Sequence, residues 1–166
     1  MALKGSRKMQ FFDRSQFILR IENIYLEVKE KIVQILPNAK VEHVDSSAIP
    51  GAISKGDLDM FVGVTQDDFI KAIELIKRIG FNEKLDTLRT DSLCMMTSST
   101  YNEDVAVQLV ANGSKHESFL EFRDKLRSNP DLVSRYNQLK LDCKGLPHDN
   151  YREVKSAFIE AVLNTH

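Results

Sequence analysis

Two acidic residues two positions apart, Asp57 and Asp59, stand at the head of the apolar run Leu58–Val64. In an extended strand residues i and i+2 share a face, so both carboxylates point the same way, their Cα atoms roughly 7 Å apart. At about 5 Å and an effective dielectric near 20, two carboxylates repel by on the order of 3 kcal/mol. A proton or a cation between them relieves that repulsion. Just upstream, Ser46 and Ser47 lie in a small-residue turn that ends in Pro50-Gly51. Their hydroxyls and backbone N–H groups could seat a phosphate; the alternative is a pair of turn serines bonding their own backbone. Metal beside phosphate is the setting of phosphoryl or nucleotidyl transfer.

A third carboxylate for such a site is available at Asp104, which opens Asp104-Val105-Ala106-Val107-Gln108 and shares a strand face with Ala106 and Gln108. Read blandly, Asp104 is a solvent-facing turn residue. Lys55 could neutralise a bound phosphate, or pair with Asp57 at the surface for less than about 1 kcal/mol. An all-oxygen site without a Cys or His cluster suits Mg²⁺, with Mn²⁺ as the alternative, better than zinc.

The elements that must position these residues follow from periodicity. Phe17, Ile21, Ile24, Tyr25, Val28, Ile32 and Ile35 recur at three- and four-residue steps, predicting one amphipathic helix over Ser15–Leu36 that ends at Pro37-Asn38. Val41–Val44 reads as a short strand, and Asp57–Val64 as a longer one covered on both faces. Thr65 and Asp68 predict a capping box for a helix over Gln66–Ile79, closed by Gly80. Leu93–Met96 and Asp104–Val110 read as further strands. From about Glu117 onward the pattern is helical, with Asn129-Pro130 starting one helix and Gly145 ending it. The expectation is a single α+β domain over residues 1–166: a small mixed β-sheet, an N-terminal helix and a helical C-terminal half from about residue 115.

Composition bounds the partners. The chain has 166 residues, 42% hydrophobic, enough to bury roughly 70% of its unfolded surface. A formal net charge of -1 gives no basic field for strong nonspecific nucleic-acid binding. Cys94 and Cys143 show no metal-ligand spacing, as expected of reduced cytoplasmic thiols. The basic start, Lys4 to Lys8, reads as a disordered tail without the apolar run of a signal peptide. No segment reaches transmembrane length, so no membrane partner is expected.

A small residue and Ser followed by Asp-hydrophobic-Asp-hydrophobic resembles the signature of the polymerase-β-type nucleotidyltransferase superfamily. More narrowly, Glu42-His43-Val44, Ser46-Ser47-Ala48-Ile49-Pro50-Gly51 and Lys55 before Asp59 resemble the GrpB family of small bacterial proteins. That family's motif runs hydrophobic-Glu-His-hydrophobic-Gly-Ser-Thr-x-Val-Pro-Gly, then Lys-Pro-x-x-Asp. A second block, Phe122–Arg127, Asn129-Pro130, Tyr136, Leu139-Lys140 and Tyr151 to Ile159, resembles the family's helical C-terminal half. The resemblance implies a nucleotidyltransferase-like core that transfers a nucleoside monophosphate from a nucleoside triphosphate to a hydroxyl acceptor. It implies Asp57, Asp59 and Asp104 as metal-binding and catalytic residues. Ser46, Ser47, Lys55, Arg123, Arg127, Tyr151 and Lys155 are then nucleotide-binding, with at least one of the last four lining the far wall of a cleft between the sheet edge and the C-terminal helices. A non-catalytic nucleotide-binding or protein-interaction module on the same fold is the alternative. The acceptor, the nucleotide and the oligomeric state stay open.

Several positions depart from the motif. Asp45 stands where the family shows Gly, placing a third anion on the turn. Gly56 replaces Pro, and Asp57 replaces an aliphatic residue, restoring the superfamily's carboxylate pair. Gln108 stands where the family carries His. His43 matches the motif, as a strand histidine of structural role or one lining the pocket.

Overall fold

The computed structural model describes residues 9–165; the Lys4–Lys8 cluster lies outside them. Ile21, Ile24, Val28 and Ile32 all turn to one side of α1 (Ile18–Ile35) and are buried there. A 3₁₀ turn, Arg14–Gln16, precedes the helix, so regular α-geometry begins later than Ser15. The Leu36 amide still bonds the Ile32 carbonyl at 2.7 Å before Pro37 stops the ladder.

Five strands form one mixed sheet: β1 (Lys40–Val44), β2 (Leu58–Val64), β3 (Phe81–Glu83), β4 (Leu93–Ser98) and β5 (Val105–Ala111). Their spatial order is β1-β2-β5-β4-β3. β2 and β5 run parallel at the centre, and every other pairing is antiparallel. Leu58, Met60 and Val62 of β2 with Val105, Val107 and Leu109 of β5 face α1 and α2 (Phe69–Lys77), forming the main core. The alternate residues Phe61 and Val110, with Val44 and Leu93, pack under Phe119 and Leu120 of α3 (Ser118–Arg127). Burial on both sides explains why β2 is a nearly unbroken apolar run.

Three expectations are corrected. Asp57 lies outside β2: Gly56, at φ 84°, turns the chain just before it, and the first bond to β5 runs from the Leu58 amide to the Asp104 carbonyl at 2.8 Å. Asp104 likewise precedes β5. The Thr65–Asp68 capping box is replaced by a 3₁₀ turn over Gln66–Asp68 without a side-chain cap. There the Asp68 amide bonds the Thr65 carbonyl at 3.1 Å. β3 has no counterpart in the sequence pattern, because three residues carry too little alternation to read as a strand.

The C-terminal helices are α3, α4 (Pro130–Asp142) and α5 (His148–Leu163). The Asn129 side chain accepts from the Asp131 and Leu132 amides, capping α4 with Pro130 at its first turn, as the sequence predicts. Phe122, Leu126, Val133, Tyr136 and Val162 form a separate core with Ile49 and Ala52, so the helices clamp the segment between β1 and β2.

Candidate active site at the end of strands β1 and β2

Val44 pairs with Asp59 across the antiparallel ladder, so Asp45, the next residue, emerges beside Asp59 at the same end of the sheet. Asp45 is the only non-glycine among the described residues with positive φ (61°). With ψ at -158° it occupies a region essentially reserved for glycine, at a cost of about 1–3 kcal/mol. Side-chain bonds hold it there. Its Oδ1 accepts from the Tyr136 hydroxyl at 2.8 Å, and its Oδ2 is ion-paired to Lys155 of α5.

Behind this pair lies a chain of polar groups. Lys140 of α4, fully buried, donates to the Ser46 hydroxyl and the Ile53 carbonyl, each at 2.6 Å. The Ser46 hydroxyl points on to the Tyr136 phenol oxygen at 3.2 Å, and Tyr136 in turn donates to Asp45. The Lys140 ammonium also sits 3.6 Å from the centroid of the Tyr136 ring. Each group in the series Lys140, Ser46, Tyr136, Asp45 thus polarises the next.

Electrostatics divides the acids by role. Burial opposes ionisation of Asp45, but the charges of Lys155 and Lys140 outweigh it, and its pKa is held well below the carboxylate range. Asp59 goes the other way: burial, then Asp57, then Asp45 push its pKa well above that range, against the weaker pull of Lys155 and Lys55. Burial lowers the Lys140 pKa to about 7, despite Asp45. Lys155 feels the same burial, yet Asp45 and the two tyrosines hold its pKa well above that of a free lysine.

Asp57 accepts from Ser54 Oγ at 3.2 Å and faces Lys55 at 3.8 Å. Lys55 and Lys155 each stand 5.8 Å from the centroid of the Tyr151 ring. Ser46, Lys55, Asp57, Asp59, Tyr151 and Lys155 are therefore brought together. Asp104 is exposed one residue before the Leu58–Val105 pair, level with Asp57. Among the described residues, no three Asp, Glu, His or Cys side chains gather closely enough to cage a metal. Two carboxylates nevertheless fit Mg²⁺, which takes one or two from protein and completes its shell with water and phosphate. Asp59, held among anions, is the group that gains most from a cation.

The other expected residues lie elsewhere. Ser47 turns to His43, whose Nε2 is 2.7 Å from its hydroxyl. Burial, then Arg14 and Arg127, lower the His43 pKa to about 4, so the ring is neutral at physiological pH. It stacks on Tyr25 beside a cavity of about 350 Å³ lined also by Glu22, Glu42 and Arg127. Arg123 bonds Glu42 at 3.0 Å and the His43 carbonyl at 3.1 Å. Arg127 bonds the Ala48 carbonyl at 2.9 Å, and Arg14 those of Ser47 and Ile49 at 3.1 and 3.2 Å. These arginines brace the turn from behind; they do not face the acids.

Arg14 and Tyr136 are additions to the site residues expected from the sequence, while Lys140 is one of the cationic motif positions of the C-terminal helices. The spacing of Tyr136 and Lys140, four apart on α4, is the signal that could have found Tyr136.

A mixed sheet with an acidic pair at one strand end and a serine turn beside it defines a nucleotidyltransferase-like fold, and comparison with known proteins agrees. The GrpB protein family matches residues 20–165, and the chain belongs to that family. It is 52% identical over 155 residues to a UPF0157 protein of Vibrio cholerae serotype O1, covering 93% of this chain and 82% of that one. The crystal structure of conserved protein GrpB from Enterococcus faecalis superposes with a TM-score of 0.66 at 18% identity, covering 93% of this chain and all of that one. Cid1 poly(U) polymerase with MgGTP bound superposes with a TM-score of 0.54 at 14% identity. That match covers 80% of this chain but 41% of the polymerase. These structural likenesses are of fold.

Proposed function

We propose that the protein is a metal-dependent nucleotidyltransferase that moves a nucleoside monophosphate from a nucleoside triphosphate to a hydroxyl acceptor. The observation that carries this reading is the environment of Asp59: a carboxylate beside Asp57 and Asp45 at the end of the sheet, its charge opposed by burial and by both neighbours. The fold shared with a polymerase solved with MgGTP supports it.

Asp57 and Asp59 would hold Mg²⁺; Asp104, level with Asp57 but not gathered with the pair, would join them only on movement of its side chain. Bound there, the ion supplies charge neutralisation at the phosphates. Ser46, Lys55 and Lys155 would bind the phosphates, with Tyr151 between the two lysines. The acceptor hydroxyl would release its proton to solvent as its oxygen attacks the α-phosphorus; a new P–O bond forms, and the bond to pyrophosphate breaks, pyrophosphate leaving. Tyr136 of α4 and Tyr151 of α5 are buried beside this sheet end.

Calorimetric titration of Mg²⁺ with ATP or GTP into wild type and Asp59→Asn tests the binding half of this reading. Binding by wild type and its loss in the variant are expected; equal binding by both, or none by either, would remove the metal–nucleotide role.

One observation favours a second reading, a nucleotide-binding module without catalysis. Asp45 places a carboxylate on the phosphate side of the turn, where its bonds to Lys155 and Tyr136 compete with a ligand. Transfer of label from a nucleoside triphosphate separates the two readings, since only an enzyme moves it.

A further inference from the structure

Lys155, Tyr136 and Ser46 come from three separate segments, α5, α4 and the turn after β1, and converge on one carboxylate. Tyr136 is fully buried and Ser46 nearly so, while the carboxylate they serve belongs to the one described non-glycine residue whose backbone takes a positive φ to reach them. A surface aspartate pairing with a passing lysine needs no such backbone. An ammonium and a phenol hydroxyl donating to one anionic group, with a serine hydroxyl 3.4 Å away that can turn to it from Tyr136, are instead the donor set of an oxyanion site.

We propose that Lys155, Tyr136 and Ser46 form a phosphate seat, and that the Asp45 carboxylate occupies it as an internal stand-in that an incoming phosphate must displace. The inference rests on the nucleotidyl-transfer reading for the identity of the ligand, and deepens it by naming the residue that sets phosphate affinity. Asp45 stays tethered while a ligand phosphate comes and goes, so the seat is closed to free phosphate and opens to a ligand with further holds. Asp57 and Asp59, through a metal, and Lys55 are the neighbouring groups able to supply them.

Glycine at position 45 would adopt the observed φ freely and leave Lys155 and Tyr136 without their carboxylate acceptor. The Asp45→Gly variant should therefore bind inorganic phosphate at least about tenfold more tightly than wild type in metal-free calorimetry, as expected when a charge-assisted competitor is removed. Adding Lys155→Met to that variant should abolish the gain. Asp45→Asn keeps side-chain shape while removing the charge that competes for Lys155, and should show a smaller gain in the same direction. It carries the test if the glycine variant does not fold. Phosphate affinity unchanged from wild type in a folded Asp45→Gly or Asp45→Asn protein would overturn the proposal. So would a gain that survives Lys155→Met. The probe contains neither metal nor nucleoside, so a failure here is distinct from a failure of the nucleotidyl-transfer reading, which the Asp59-dependent titration with Mg²⁺ and ATP tests independently.

Discussion

At the scale of single residues, Asp59 holds a charge that its surroundings oppose. Its folded pKa is raised, first by burial and then by Asp57 and Asp45, above the ordinary 3.8. A carboxyl shifted this way contributes stability that is complete below the unfolded pKa and is lost as pH rises through the folded one. In the metal-free protein the Asp59 contribution is therefore lost on going from acid to neutral pH. Asp59→Asn should melt above wild type in chelator at neutral pH, the gap closing near about pH 4 where the unfolded carboxyl titrates. A variant that melts lower at neutral pH would show that the Asp59 charge is already satisfied without a cation. Asp45 has the opposite sign: its depressed pKa gives stability present above the usual carboxylate value and lost as pH falls below it. Lys155→Met strips the counter-ion from this partly buried carboxylate, and urea unfolding should show a loss of about 2–3 kcal/mol, below the full cost of breaking a buried pair. No loss would mean that Tyr136 alone suffices to hold Asp45.

At the scale of elements, two substitutions test how the scaffold positions the site. Asn129→Ala removes the two amide bonds that start α4, the helix carrying Tyr136 and Lys140. A loss of about 1 kcal/mol in urea unfolding is expected; an unchanged midpoint would mean that Pro130 and the helix packing start α4 unaided. Gly63 lies within β2, where an added Cβ would come 2.5 Å from Asn112 Oδ1 and 2.9 Å from Phe61 Cε1. Asn112 can swing away, but Phe61 is fully buried, so Gly63→Ala should cost about 1–3 kcal/mol by overpacking. A variant as stable as wild type would show that the face beneath α3 has room to spare.

The elements with strong period were legible in the sequence: α1, the core strands and the capped start of α4. What escaped was local. Asp57 falls one residue short of its strand, directly after the turn at Gly56, and β3 is too short to show a pattern. The positions of Arg123, Arg127 and Ser47 follow from which edge of the sheet α3 crosses, a tertiary fact that helical spacing does not contain. The full burial of Lys140, a motif cation, is hidden for a related reason: a lysine on a polar helix reads as solvated until the neighbouring core is known.

At the scale of the whole molecule, a sheet end carrying Asp45, Asp57 and Asp59 is closed over by lysines and tyrosines from α4 and α5. Charges of both signs meet at that one end while the chain as a whole has a formal charge of -1. Among the described residues no helix is long and apolar enough to cross a membrane. The most direct test of the central claim is transfer itself: nucleoside triphosphate labelled at the α-phosphate, incubated with Mg²⁺ and cell extract, with wild type or Asp59→Asn added. Label carried onto an acceptor by wild type alone is the predicted result. Label that remains in free nucleotide under both proteins, even where calorimetry shows binding, would contradict the claim of transfer and leave a nucleotide-binding module.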